Sequence, residues 1–273
     1  RAPFRRGGIE AAGEFGQFVF APMLQWLISL PQLGWRGAMW VLAAWAVLIL
    51  PAARWLSQGA HKVQAASHAP HTHEPMAHVV RQAFRNRNYI LLHLGFATCG
   101  FHVAFLATHL PNEIALCGLP VSVASTSLAI VGIANLVGSL VVGWCVGRWR
   151  NKSILAVLYA VRVVLITAYL FMPRTDVNFY IFAAGLGLTW LATVPPTAAL
   201  TGRLFGTRYL ATLFGLTLLS HQVGGFLGAY LGGKAIMAFN DYGWMWHADL
   251  VLAALAVVLH LMIREPNIQT PAS

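Results

Sequence analysis

The chain has 273 residues, of which 58% are hydrophobic and 10% charged, and this balance excludes an ordinary soluble domain. Eighteen Lys and Arg residues against eight Asp and Glu give a formal net charge of +10, which on its own would suggest a nucleic-acid partner. The cations are instead distributed over the connections between apolar stretches, as membrane insertion requires. We therefore expect the chain to lie in a lipid bilayer and to bind no nucleic acid.

Eight apolar stretches are long enough to cross a membrane, because a hydrocarbon core about 30 Å thick needs about 20 helical residues. In chain order they cover residues 8–30, 36–57, 88–109, 121–146, 153–172, 178–201, 209–233 and 247–263. The sequence therefore predicts an all-α integral membrane protein with eight transmembrane helices.

The distribution of Lys and Arg predicts how these helices are oriented. If every stretch crosses, 14 of the 18 cations lie on one face of the membrane and three on the other, while Arg162 lies inside a span. Cytoplasmic loops carry the excess of Lys and Arg. We therefore expect a multi-pass protein of the cell inner (plasma) membrane, with both termini of the chain in the cytoplasm.

A polar segment divides the chain into unequal groups of spans. Residues 1–57 hold two spans, 58–87 form a predicted cytoplasmic linker, 88–265 hold six spans, and 266–273 form a cytoplasmic tail. The linker histidines are His61, His68, His71, His73 and His78. They could bind zinc or nickel, but no Cys accompanies them, and we interpret the segment as a solvated linker. Two spans followed by six suggest a twelve-span protein whose first four spans are absent from the chain.

Polar residues inside apolar spans mark ion or substrate pathways, and four of those in this chain are candidates for such a pathway. His102 lies near the middle of the third span, Asn135 lies in the fourth, and His221 and Gln222 lie in the seventh. A buried His can take up and release a proton near neutral pH, which suits proton-coupled transport. The alternative is that each His is only a hydrogen-bonding residue of the bundle.

Arg162 is the cation that the topology does not explain, because it lies about 14 Å from either end of the fifth span. A charge at that depth is costly and by default indicates function. Its guanidinium could bind a carboxylate substrate through two parallel hydrogen bonds. The alternative is a structural role, in which it bonds carbonyls or polar groups of a neighbouring span, such as Asn135. We expect Glu14, in the first span, to be the acidic partner of Arg162 inside the membrane.

Pro195 and Pro196 interrupt the sixth span, because each removes a helical hydrogen bond and clashes with the preceding turn. A span broken by Gly or Pro indicates a transport site, since the freed backbone groups can face a cavity. Thr193 and Thr197 could cap the freed carbonyls or contact substrate. An ordinary kink without a transport role is the alternative.

The seventh span carries a row of small residues at a spacing of four. The row consists of Ser220, Gly224, Gly228 and Gly232. Helices in lipid associate through close backbone approach, which small residues permit. We therefore expect this row to pack against a neighbouring helix.

Four passages of the sequence carry a resemblance to a known family. They are residues 100–111 (GFHVAFLATHLP), 132–139 (GIANLVGS), 190–197 (WLATVPPT) and 214–228 (FGLTLLSHQVGGFLG). These passages resemble the major facilitator superfamily, in its bacterial branch similar to monocarboxylate transporters. The resemblance implies a helical bundle of the major facilitator type, in which this chain supplies the last two helices of the N-terminal half and the complete six-helix C-terminal half. It also implies that the third and sixth spans line a central cavity.

One departure from that family lies in the loop at residues 143–152 (GWCVGRWRNK). The family pattern places an acidic residue beside the basic cluster of this loop, and the resemblance implies that the loop latches one state of the transporter. Val146 and Gly147 stand where the acid is expected, so the latch is in doubt here.

The span layout, the interrupted sixth span and the resemblance predict a secondary transporter that works by alternating access. We expect a symporter that moves a small organic anion, such as a monocarboxylate, together with protons. A non-functional truncated fragment, or a membrane-embedded sensor or enzyme, is the alternative. The sequence shows no catalytic-triad order, paired acids, metal-ligand spacing or phosphate loop, so we expect no enzymatic activity, cofactor or metal.

Overall fold

A computed structural model describes residues 23–24, 26–30, 34–47, 51 and 75–266 of the chain. Most of the predicted first span, including Glu14, lies outside the described residues, as do most of the predicted linker and the end of the tail. Our expectations for those regions stay predictions.

The described part of the chain contains nine α-helices of eight or more residues and no β-strand. They are α1 (Gly34–Val47), α2 (Met76–Ala83), α3 (Arg87–Leu116), α4 (Val121–Val146), α5 (Asn151–Phe171), α6 (Asp176–Thr189), α7 (Val194–Phe205), α8 (Leu210–Phe239) and α9 (Gly243–Met262). Six segments in this part are long and apolar enough to cross a membrane, namely α3, α4, α5, the pair α6–α7, α8 and α9. The all-helical membrane architecture is thus confirmed, whereas the count of eight spans stays a prediction.

Two spans run further than their apolar stretches predicted. The helix α3 ends at Leu116 rather than near residue 109, and α8 ends at Phe239 rather than near residue 233. In the last turn of α3, Glu113 accepts a 2.6 Å hydrogen bond from the Tyr169 hydroxyl of α5. A helix ends where its backbone hydrogen bonding stops rather than where hydropathy falls, so both helices can continue past their apolar stretches.

The end of the predicted linker forms the short helix α2. Its Val79 and Ala83 are buried against Tyr89 of α3 and Leu213 of α8. The Asn86 side chain then caps α3 by accepting a 2.9 Å hydrogen bond from the backbone N–H of Asn88. The last part of the linker is therefore packed on the six-span bundle rather than solvated throughout.

The six spans pack in three main pairs, α3 with α8, α4 with α6 and α5 with α9, and α9 also packs on α3. The outer surfaces carry many exposed Val, Leu, Ile and Phe side chains, as expected where helices face lipid. Aromatic rings fill the core at the α3–α5–α9 junction, where Phe105 and Tyr169 both contact the ring of Trp246. Helix α6 also contacts α5, and α7 contacts α3, α4, α5 and α8.

Glycines set the closest approach of these helices. A Cβ on Gly224 would lie 1.9 Å from the carbonyl oxygen of Ala97, and one on Gly228 would lie 2.3 Å from that of Phe101. The predicted small-residue row of α8 therefore faces α3. On the other main pair, a Cβ on Gly138 of α4 would lie 2.1 Å from the carbonyl oxygen of Leu188 in α6. No larger side chain fits at these positions without moving a backbone.

Candidate functional site

The sixth span is interrupted between α6 and α7, at residues 190–193. Pro195 and Pro196 lie in the first turn of α7, where a helix has no internal partner for its N–H groups and tolerates proline. The chain leaves the helical path just before these prolines, so that among the described residues no backbone N–H bonds the carbonyls of Thr189 and Trp190, and the N–H of Val194 donates to Leu191 instead. The N–H of Leu191 likewise has no backbone acceptor in the preceding turn. Buried backbone groups of this kind must find partners elsewhere.

Arg162 of α5 bonds the freed carbonyls. Its side chain is fully buried, and its Nη2 donates to the backbone carbonyls of both Thr189 and Trp190, the latter at 2.7 Å. Its Nε donates to the Thr189 hydroxyl at 3.4 Å, and its Nη1 donates to the Cys99 sulfur at 3.3 Å. Four of the five guanidinium N–H groups are thus engaged, and the guanidinium also lies 5.1 Å from the centre of the Tyr159 ring.

Asn135 of α4 bonds the same break from the other side. Its Oδ1 accepts a 3.0 Å hydrogen bond from the backbone N–H of Leu191. Its Nδ2 is buried and has no hydrogen-bond partner among the described residues. Arg162 and Asn135 do not bond to each other as the structural alternative suggested; instead, both bond the backbone at the break.

The two predicted threonines also lie at the break and are fully buried. Thr193 places its hydroxyl 3.3 Å from the Cys99 sulfur. Thr197 donates its hydroxyl to the carbonyl of Thr193 at 2.7 Å, and Thr201 repeats this bond one turn later at 2.9 Å. Thr197 and Thr201 therefore bond carbonyls one turn earlier in the chain, whereas the carbonyls of Thr189 and Trp190 are bonded by Arg162. Contact of the threonines with substrate stays a prediction.

Cys99 is a member of the site that sequence reasoning missed, because a single cysteine in an apolar span has no pattern. It is fully buried in α3 and contacts both Arg162 and Thr193. One turn earlier, the carbonyl of Gly95 accepts a 2.9 Å hydrogen bond from the Tyr159 hydroxyl. Helices α3, α5 and α7 thus meet at one polar cluster.

His102 forms a buried pair with an acid that the sequence analysis also missed. Its Nδ1 lies 2.6 Å from Oδ2 of Asp249 in α9, and both side chains are at most 2% exposed. The other ring nitrogen of His102 has no hydrogen-bond partner in the described part of the chain. Asp249 is thus an intramembrane acid that we did not predict, whereas the role expected of Glu14 stays a prediction. We missed Asp249 because the predicted span begins at residue 247, which places Asp249 at its end, whereas α9 begins at Gly243.

His221 and Gln222 of α8 are placed differently from each other. His221 is partly buried, lies 4.9 Å from Phe96 between ring centres, and is near Cys99. Gln222 is exposed on the surface of the six-span bundle and forms no described contact with the break. Of the predicted polar residues, all except Gln222 therefore lie at or near the inside of the bundle.

Comparison with known proteins identifies the class of this bundle. The profile of the Major Facilitator Superfamily matches residues 3–229, most of the chain. The chain belongs to the major facilitator superfamily. It is 25% identical over 267 residues to the uncharacterized MFS-type transporter YcxA of Bacillus subtilis (strain 168), covering 92% of this chain and 62% of that protein. It is 25% identical over 150 residues to the uncharacterized MFS-type transporter YhjX of Escherichia coli (strain K12), covering 54% of this chain and 37% of that protein.

A buried acid from a distant part of the sequence contacts the end of the basic loop in this major facilitator chain. Glu265, which follows α9, is 4% exposed and lies 2.6 Å from the Arg203 guanidinium of α7. Its carboxylate also accepts backbone hydrogen bonds at 3.0 Å from Asn151 and Lys152, at the start of α5. Glu265 therefore joins α7 to the start of α5, while the loss of the latch at Val146 and Gly147 stays a prediction.

Proposed function

We propose that the protein containing this chain is a secondary active transporter that moves a small organic solute by alternating access. Membership of the major facilitator superfamily and the six membrane-spanning segments after residue 75 support a transporter. The chain spans 62% of the length of YcxA and 37% of the length of YhjX, so the activity of the whole protein is part of the proposal.

The buried His102–Asp249 pair supports proton coupling. The two groups join α3 to α9 at a site from which solvent is excluded, and the free ring nitrogen of His102 could receive a proton. Binding one proton changes the net charge of the pair by one, and an uncompensated charge in a membrane interior is costly. Proton binding at this pair could therefore be coupled to a change in how α3 and α9 pack.

We propose an organic anion, such as a monocarboxylate, as the solute. An anion and a proton together carry no net charge, so their co-transport does not leave a charge in the bundle. The sequence resemblance to monocarboxylate transporters supports the same class. Among the described residues, Arg162 is the cation buried inside the six-span bundle. A bidentate pair between its guanidinium and the substrate would require it to release at least one carbonyl at the break.

We propose that Arg162 and Asn135 position the break rather than bind the anion in the conformation seen here. All four of the hydrogen bonds made by Arg162 run to groups of α3 and the break, which favours the structural alternative. An Arg162→Lys variant separates the roles. If the variant keeps its affinity for the solute but unfolds at a lower midpoint, the result supports a positioning role. If its affinity for the solute falls while its stability is unchanged, the result supports a role in binding substrate.

The proposed function is tested by uptake of a panel of carboxylates into proteoliposomes that contain the full-length protein. We expect an inward proton gradient to drive accumulation of at least one carboxylate. Asp249→Asn and His102→Gln should abolish gradient-driven accumulation while retaining exchange of labelled for unlabelled solute. His247→Gln is the matched control, because His247 lies on α9 beside Asp249 in sequence but is exposed. Accumulation that is independent of the proton gradient would contradict the coupling.

A further inference from the structure

A groove of about 350 Å³ lies between the end of α4 and the start of α5. Its walls are apolar and include Val141, Trp149 and Val157, each of which is exposed on the surface of the bundle. Ser153 also lines the groove, which has no polar surface. The volume is within the range of about 300–1,000 Å³ that is typical of ligand pockets.

A cation lies beside one end of this groove. The Arg148 guanidinium is 4.0 Å from the centre of the Trp144 ring, and it donates a 2.8 Å hydrogen bond to the Trp144 carbonyl. The Trp144 ring packs edge-on against Trp149, with 5.7 Å between ring centres. Arg148, Trp144 and the groove wall at Trp149 therefore form one continuous surface.

Arg148 is the cation of this loop that lies beside the groove, and the Trp144 carbonyl that it bonds does not neutralise its charge. Arg150 donates to the Glu265 carbonyl, and the Lys152 ammonium donates to the carbonyls of Leu261 and Ile263. Arg148 is exposed and forms no ion pair with a carboxylate in the described part of the chain. An anion at this position would therefore meet an unneutralised guanidinium.

We propose that the groove between α4 and α5 binds one acyl chain of an anionic phospholipid, with the lipid phosphate at Arg148. The loop after α4 lies at the end of two membrane-spanning segments, and its two tryptophans are suited to the headgroup region. Basic pockets between transmembrane helices bind anionic headgroups, and a guanidinium pairs well with phosphate. The groove provides the apolar surface for the acyl chain.

An anionic phospholipid matches the charge and the apolar wall of the groove better than a protein segment does. A second copy of the chain, or another segment of it, would cover the apolar wall but would still need an acid to neutralise Arg148. A phospholipid brings the phosphate and the acyl chain in one molecule, at the depth where this surface lies. The proposal does not depend on the transport function, and anionic phospholipid on either side of the membrane would satisfy it.

Native mass spectrometry of the purified protein with added phosphatidylglycerol or phosphatidylcholine tests the charge. We expect phosphatidylglycerol to be retained preferentially and Arg148→Gln to weaken its retention about fivefold, because one basic residue near the membrane surface contributes about 1 kcal/mol. Arg174→Gln is the matched control, since Arg174 also lies over an aromatic ring, 3.8 Å from the centre of Tyr169, and bonds the Tyr169 carbonyl. Equal retention of the two lipids, or equal losses in the two variants, would overturn the proposal.

A second pair of variants tests the groove. Val157→Trp should fill it and reduce phosphatidylglycerol retention, whereas Val164→Trp, on the same helix and exposed but outside the groove, should not. Thermal unfolding of both variants in phosphatidylcholine checks that they fold. Glycerol 3-phosphate alone should not compete at the concentration of lipid used. Competition by it, unchanged retention in Val157→Trp, or a change of oligomeric state without a change of lipid retention would each contradict the lipid site.

Discussion

Replacing Arg162 by Leu should destabilise the bundle, because it removes the partners of two buried carbonyls at the break. Thr189 and Trp190 are at most 3% exposed, so water does not replace the guanidinium. An unsatisfied buried acceptor costs about 1–3 kcal/mol, which gives about 2–6 kcal/mol for the pair. The variant also avoids the cost of burying the guanidinium charge, which offsets part of this loss. However, it removes a cation that interacts favourably with the Asp249 carboxylate. We expect a net loss of about 2–4 kcal/mol.

The loss is measured as the free energy of unfolding in mixed micelles of increasing SDS content. Arg162→Lys should lie between the parent and Arg162→Leu, because an ammonium can donate to the carbonyls but lacks the planar fork. Arg174→Leu is the control, since Arg174 also bonds a carbonyl but lies at the end of a span. The reasoning is refuted if Arg162→Leu unfolds within about 0.5 kcal/mol of the parent, or if it costs no more than Arg174→Leu.

Two further predictions concern helix contacts. Gly224→Val should prevent folding or lower the melting temperature strongly, because its Cβ would lie 1.9 Å from the Ala97 carbonyl oxygen, whereas Gly233→Ala, with no atom within 4 Å, should leave it unchanged or slightly raised. Equal melting temperatures for the two variants would contradict the packing account. Glu265→Gln should lower the free energy of unfolding by about 1–3 kcal/mol, since it weakens charge-assisted hydrogen bonds to Arg203 and the start of α5. An unchanged value in the same SDS assay would show that this carboxylate does not join the helices.

The membrane architecture could be predicted from the sequence because hydropathy and helix length are local properties. The spacing of Ser220, Gly224, Gly228 and Gly232 likewise predicted a packing face, since residues four apart lie on one side of a helix. The spacing alone could not identify α3 as the neighbour. That depends on how the helices are arranged in three dimensions.

The partners at the site could not be predicted because they are distant in sequence. Asp249 is 147 residues from His102 and was hidden at the edge of an apolar stretch that begins four residues after its helix does. Glu265 is 114 residues from Asn151, so no local pattern connects the acid to the basic loop. Arg162 was recognised from its depth alone, but its bonds to the break depend on how α5 packs beside α6 and α7.

The most direct test of proton-coupled transport is to measure proton and solute movement in the same proteoliposomes. Vesicles with a pH-sensitive dye inside and no initial pH gradient would receive an external pulse of a transported carboxylate. We expect the interior to acidify as solute enters, and Asp249→Asn and His102→Gln to abolish the acidification whereas His247→Gln does not. Solute entry without any change of internal pH, or acidification that persists in both variants of the buried pair, would contradict it.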